Sequence, residues 1–210
     1  MKVKEKFYPN AVFGSQPKVL ESINQEENSI AIYQRDILSL KNELSIAMQN
    51  EIAFKISGTV NEITLKLDDY FSEQLPQCQG LNQDIKSILN RFNVVTKAVS
   101  YHLLLSTVST NMCKKFHTDI NDLRLLCTYA GPGTLWVSED NSNIEKQKRR
   151  RQEPSIQEED IHQVNTGDVV ILKGALHPEG NPILHRSPTV EETGEKRLLL
   201  RLDTNSSINF

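Results

Sequence analysis

From Val94 onward the chain is a succession of short runs rich in aliphatic and β-branched residues, each stopped by glycine, proline or polar residues. No other feature limits the possible folds as much. "VSYHLLLSTVS" (Val99 to Ser109), "RLLCTYA" (Arg124 to Ala130) ending at "GPGT", "GDVVILKG" between Gly167 and Gly174, and "EKRLLLRLD" (Glu195 to Asp203) all have the length and composition of strands. Short strands divided by Gly/Pro turns read as a barrel or a double-sheet jelly roll.

The preceding half reads differently. "NSIAIYQR" (Asn28 to Arg35) is strand-like, and behind Asp36, a plausible N-cap, Ile37, Leu40, Leu44 and Ala47 fall at three- and four-residue spacings. Two further helical segments are expected at roughly Asn61 to Gln74 and Leu81 to Phe92, with Pro76 and Gly80 between them. The expected fold class is therefore α+β. A mainly helical N-terminal extension (1–93) precedes a double-stranded β-helix, jelly-roll and cupin-like, over 94–210.

A chain of 210 residues with 38% hydrophobic content can bury a substantial core. A formal charge of -3 gives no electrostatic reason to expect a nucleic-acid partner, and no apolar run approaches the 18 or more residues of a membrane helix. "MKVKEKFYPNAVFGS" lacks a secretory apolar region, and Cys78, Cys113 and Cys127 show no C-x-x-C spacing. A cytoplasmic protein with reduced thiols is expected.

Between Ser138 and Asp160 lies a polar stretch containing "KQKRRRQEP". Its basic residues (Lys146, Lys148, Arg149, Arg150, Arg151) are outnumbered by acids (Glu139, Asp140, Glu145, Glu153, Glu158, Glu159, Asp160), so a flexible, solvated insertion at 138–160 is the expectation rather than a nucleic-acid patch.

The chemistry concentrates in "CKKFHTDINDLRLLCTYAGPGTLW". On an extended segment, residues i and i+2 share a face, so His117 and Asp119 can reach one ion while Thr118 turns away. His185, far downstream and just before a turn, is the candidate third ligand. Two imidazoles and one carboxylate on one face of a metal leave the opposite positions open, the arrangement that suits non-haem Fe(II). Arg197 follows in "GEKRLLL", where a guanidinium fork can grip a carboxylate. Arg124 can line the same cavity and is a second candidate for cofactor or substrate binding; Arg186 and Arg201 are rivals to Arg197.

Blander readings stand beside these. His117 and Asp119 can form a simple hydrogen-bonded pair, and the arginines can form surface salt bridges. His177 is expected in a loop, His102 on a strand and His162 in the polar insertion, all outside the triad. Cys113 and Cys127 make a zinc site worth stating, but Cys127, Tyr129 and Trp136 read as core residues.

The order HxD, a G-D-hydrophobic strand, a distal His and then Gly-x-x-Arg resembles the 2-oxoglutarate and Fe(II)-dependent dioxygenase superfamily. The resemblance implies that His117, Asp119 and His185 are iron ligands and catalytic residues, and that Arg197 anchors the far carboxylate of 2-oxoglutarate. It implies oxidation of a C–H bond coupled to decarboxylation of 2-oxoglutarate to succinate, on an unspecified small-molecule or macromolecular substrate. "KFHTDINDLRLLCTYAGPGTLW", "GDVVILKG", "HRSP" and "RLLLRLD" more closely resemble the bacterial family called domain of unknown function 1826. That resemblance implies a link to metal homeostasis. The alternative is therefore a cupin-like protein that holds zinc or another divalent ion without oxidative turnover, since N/O sites bind zinc more tightly than Fe(II).

Overall fold

The structure is a computed structural model and describes residues 8–138 and 156–204. Among the described residues, ten strands form two sheets. The larger runs β1 (Ala11–Gly14), β2 (Ile30–Tyr33), β8 (Val169–Lys173), β5 (Leu123–Ala130), β10 (Arg197–Thr204), β4 (Tyr101–Val108) and β3 (Ala53–Gly58) in spatial order. The smaller is β7 (Ile161–Gln163), β6 (Leu135–Val137) and β9 (His185–Arg186). All neighbours are antiparallel except β1 and β2. The result is a mixed α+β protein built on one large sheet.

Three helices, α1 (Lys41–Gln49), α2 (Val60–Gln74) and α3 (Gln79–Thr96), pack on one face of that sheet. The start of α2 is set by Thr59, whose hydroxyl accepts from the backbone of Glu62 while the Glu62 side chain accepts from the backbone of Thr59. Its apolar stripe, Ile63, Leu67 and Phe71, recurs every fourth residue and is fully buried. Asp36 accepts from the Leu38 backbone at 2.7 Å and so starts the turn leading into α1.

The N-terminal part is not the mainly helical extension that the spacing predicts. It places β1 and β2 at one edge of the large sheet and β3 at the other, and β3 pairs directly with β4. β1 and β3 are short, and in β3 Phe54 and Ile56 alternate with exposed Ala53, Lys55 and Ser57. A brief period-two pattern beside two strong helical ones is easily overlooked.

Strand alternation divides the interior cleanly. Leu198, Leu200 and Leu202 of β10 join Leu103, Leu105, Leu125 and Ile171 in the core beneath the helices. Leu199 instead joins Leu126, Val170, Leu172 and Trp136 in a second core between the two sheets. Leu198, Leu199 and Leu200 are consecutive apolar residues because both faces of β10 are covered there. Each such side chain contributes about 1.5–3 kcal/mol on burial.

The Gly-Pro-Gly turn carries the chain from β5 in the large sheet to β6 in the small one. Gly131 has φ +77°, and a Cβ there would lie 2.3 Å from the Lys196 carbonyl oxygen and 3.0 Å from Cγ of Arg197. Only glycine allows the turn to pass so close to the start of β10. Most of the polar insertion (139–155) lies outside the described residues, as does its expected flexibility. Its flanks meet: β6 and β7 pair antiparallel, and Ser138 donates its backbone N–H to the Asp160 carbonyl at 2.9 Å.

Candidate metal centre

His117, Asp119 and His185 converge. Each offers a ligand atom, and these atoms lie within 4.8 Å of one another, the single such group of three among the described residues. His117 sits in an isolated two-residue bridge with His185, the backbone N–H of each donating to the carbonyl of the other at 3.0 Å. The H-x-D segment is thus not a regular strand, but the bridge fixes the two rings at a centroid separation of 4.7 Å. Asp119 is positioned from the far side of the site. Its carbonyl accepts from Ala175, and a Cβ on Gly174 would come 2.2 Å from the Asn121 carbonyl oxygen, so the chain after β8 lies tightly against the segment bearing the aspartate.

The rings are also fixed by their second nitrogens. Nδ1 of His117 lies 3.1 Å from the Lys115 carbonyl, and Nδ1 of His185 lies 3.2 Å from that of Ile183. A carbonyl can only accept, so each Nδ1 carries the proton and each Nε2 faces the centre. Nε2 of His185 is 3.3 Å from Oδ2 of Asp119, and Nε2 of His117 is 3.6 Å from Oδ1. Asp119 is 8% exposed and its Oδ2 has no hydrogen-bond donor, an orphaned buried oxygen of the kind a cation satisfies. The residues present therefore fit a divalent ion with nitrogen, nitrogen and oxygen donors.

Arg124 donates through Nη1 to Oδ1 of Asp119 at 2.5 Å and through Nε to Oδ1 of Asp203 at 2.6 Å. It steadies the ligand carboxylate and leaves Oδ2 free. Burial alone would push the Asp119 carboxyl up, but the neighbouring His185, Arg124 and His117 hold it below the ordinary carboxylate range.

Arg197 is 1% exposed and lies in the same cavity as His117 and His185. Its Nη2 donates to the Thr128 hydroxyl at 3.0 Å and its Nε has no acceptor. No carboxylate faces it among the described residues, and burial pushes its pKa down to about 10. A buried guanidinium without a counter-ion is costly, and a bound anion would remove the cost. The cavity is narrow, about 50 Å³, and Met112 and Cys113 also line it. Wider clefts of about 670 and 840 Å³ lie beside the helices, but neither is lined by the ligand group.

The remaining candidates lie outside the ligand group. Arg186 and Arg201 line the cavity with Arg197, Arg186 also stacking its guanidinium 5.1 Å from the Phe116 ring centroid. His177 bonds to the backbone of Glu179, His102 contacts Ser57, and His162 lies 2.9 Å from the Ser138 hydroxyl. Cys127, Tyr129 and Trp136 are core residues, and burial pushes the Cys127 thiol up to about 12. Cys113 lines the cavity rim without joining the ligand group. Sequence reading missed Asp203, which accepts from Arg124, Asn121, which donates to Asp203, and Thr128, which accepts from Arg197. The signal for Asp203 was the alternation Arg201-x-Asp203, which puts both on the face bearing Arg197.

Solved structures with similar folds share little sequence. Dioxygenase for auxin oxidation 1 from Arabidopsis thaliana, in complex with 2-oxoglutarate, has a TM-score of 0.54 at 11% identity, covering 92% of this chain and 91% of that one. The rice dioxygenase for auxin oxidation gives 0.49 at 11% identity, covering 92% and 82%. A prolyl-4-hydroxylase from Pseudomonas putida gives 0.46 at 10%, covering 90% and 92%. The shared fold rests on the Arabidopsis comparison. No curated protein sequence matches the chain. The family described as "Protein of unknown function (DUF1826)" matches residues 14–203, and the chain belongs to it.

Proposed function

We propose that the protein is a non-haem Fe(II), 2-oxoglutarate-dependent oxygenase, with the two sheets forming a double-stranded β-helix around its site. The observation that carries this reading is the convergence of His117, Asp119 and His185, whose two histidines line one cavity with a fully buried Arg197 that no carboxylate neutralises among the described residues.

In this reading Nε2 of His117, Nε2 of His185 and Oδ2 of Asp119 hold the ion, and Arg124 keeps the carboxylate from rotating. Arg197 and the Thr128 hydroxyl bind the far carboxylate of 2-oxoglutarate. When bound, iron and 2-oxoglutarate supply the oxidising chemistry, with succinate and carbon dioxide as products. Leu126 and Leu199 line the cavity with apolar surface that keeps water away from the ligands.

A zinc-holding protein without turnover would use the same triad, but such a site leaves the buried charge of Arg197 unexplained. The test is anaerobic purification with metal analysis, followed by measurement of succinate formed from 2-oxoglutarate. Iron-dependent succinate formation is expected. Retained zinc, no succinate and no effect of 2-oxoglutarate on the metal-loaded protein would favour the metal-holding alternative.

A further inference from the structure

Four arginines, Arg124, Arg186, Arg197 and Arg201, line the cavity, and among the described residues no aspartate or glutamate does so. Behind them, among the described residues, Asp119 and Asp203 answer these charges: Arg124 bonds to both, and Arg201 shares Asp203. In the oxygenase reading a divalent ion and the two carboxylates of 2-oxoglutarate offset one another, so the site keeps a surplus of positive charge. A partly enclosed cavity with such a surplus selects for an anion.

Arg201 is the member placed to receive it. Its Nε is 3.0 Å from Oδ2 of Asp203, which orients the guanidinium, while its outer nitrogens have no acceptor among the described residues. It points to the same face of β10 as Arg197 and Leu199, and its side chain is 31% exposed, so it stands between the cavity and solvent. Leu104 of β4 lies opposite Arg201, and Lys55 of β3 lies opposite Leu104, making a row of positive, apolar and positive side chains. No acid occupies this face of β3 or β4, where the other residues are Ala53, Ser57, His102, Ser106 and Val108.

We propose that the substrate to be oxidised is an organic anion whose acid group is held by Arg201 and whose apolar body lies over Leu199 and Leu104. The inference rests on the oxygenase reading, since it assigns Arg197 to 2-oxoglutarate and leaves Arg201 for the second molecule. Arg201 is a specificity residue in this scheme. Asp203 prepares it by occupying only its inner nitrogen.

The experiment uses the Mn(II)-loaded full chain saturated with 2-oxoglutarate. It is titrated by calorimetry with the straight-chain carboxylates from butanoate to octanoate and with the matching neutral amides. Carboxylates should bind and amides should not. Arg201→Gln should weaken carboxylate binding about tenfold or more, with Arg201→Lys between it and wild type because the charge stays and the fork is lost. The variant should fold, since Asp203 keeps its bonds from Arg124 and Asn121. Equal binding of amides, wild-type affinity in Arg201→Gln, or no binding by any carboxylate overturns the proposal. Should 2-oxoglutarate itself fail to bind the Mn(II)-loaded protein, the oxygenase reading falls separately. Titration without it then decides: carboxylate binding lost in Arg201→Gln but kept in Arg197→Gln upholds the Arg201 site, and the reverse removes it.

Discussion

Oδ2 of Asp119 and Nε2 of His185 face each other at 3.3 Å in a pocket where the other ring nitrogen is already committed to the Ile183 carbonyl. Two lone pairs cannot meet in this way without a cation between them, whether a proton on Nε2 or a metal ion. A divalent ion bound between the two atoms would take the place of that cation.

Mn(II) or Fe(II) should raise the thermal midpoint of the wild-type protein. At a hundredfold excess over the dissociation constant the gain is about 2.7 kcal/mol. His185→Ala and Asp119→Ala should abolish the shift. A full shift in either variant, measured by differential scanning fluorimetry under anaerobic conditions, would show that the ion binds elsewhere.

Removing the uncompensated charge of Arg197 should separate stability from binding. Arg197→Met is expected to leave the ligand-free protein as stable or about 1–3 kcal/mol more stable, because a buried guanidinium with an unsatisfied Nε is replaced by an apolar chain of similar length. The same variant should lose 2-oxoglutarate binding. Urea unfolding with and without 2-oxoglutarate measures both effects, and a strongly destabilised variant would contradict the account of Arg197.

Without metal, Asp119 should leave a mark on the acid limb of stability. Its folded pKa lies below the ordinary value, so its contribution is complete above about pH 4, the unfolded value, and is lost as pH falls through the folded one. Unfolding free energies measured from pH 6 downward should fall more steeply for the wild type than for Asp119→Asn. Parallel curves would mean that the carboxylate is not stabilised by its cationic neighbours.

Arg35 and Asp84 tie α3 to the sheet through a two-bond fork of 2.6 and 2.9 Å, with the Tyr129 hydroxyl donating to the same carboxylate at 2.6 Å. Asp84→Ala leaves the mostly buried Arg35 without its partner and should cost about 3–5 kcal/mol. Metal stoichiometry at low temperature should be unaffected, since this cluster lies under the helices. A cost below 1 kcal/mol in urea unfolding would argue that water replaces the carboxylate.

The polar connection between β6 and β7 should be replaceable. Because Ser138 already hydrogen-bonds Asp160, a short Gly/Ser turn in place of 139–156 has little distance to span and little closure entropy to oppose. The shortened protein should keep its metal stoichiometry and unfold in one transition. Loss of metal would assign the basic run a place at the site.

The sequence by itself determined the local events. Periodic apolar residues marked α2 and α3, and short aliphatic runs stopped by turn residues marked β5, β8 and β10, because those signals repeat within a few residues; H-x-D with a distal histidine marked the candidate ligands. It did not reveal β3, whose short alternating pattern gains a strand's stability only from the ladder with β4. It put Arg197 first among the arginines and Arg124 second, but could not say what partners each has. Tertiary structure alone gave Arg124 two carboxylates, gave Arg201 one and buried Arg197 with none among the described residues. The charge that a guanidinium has left for a ligand depends on which acids the fold brings beside it, and those acids come from distant strands.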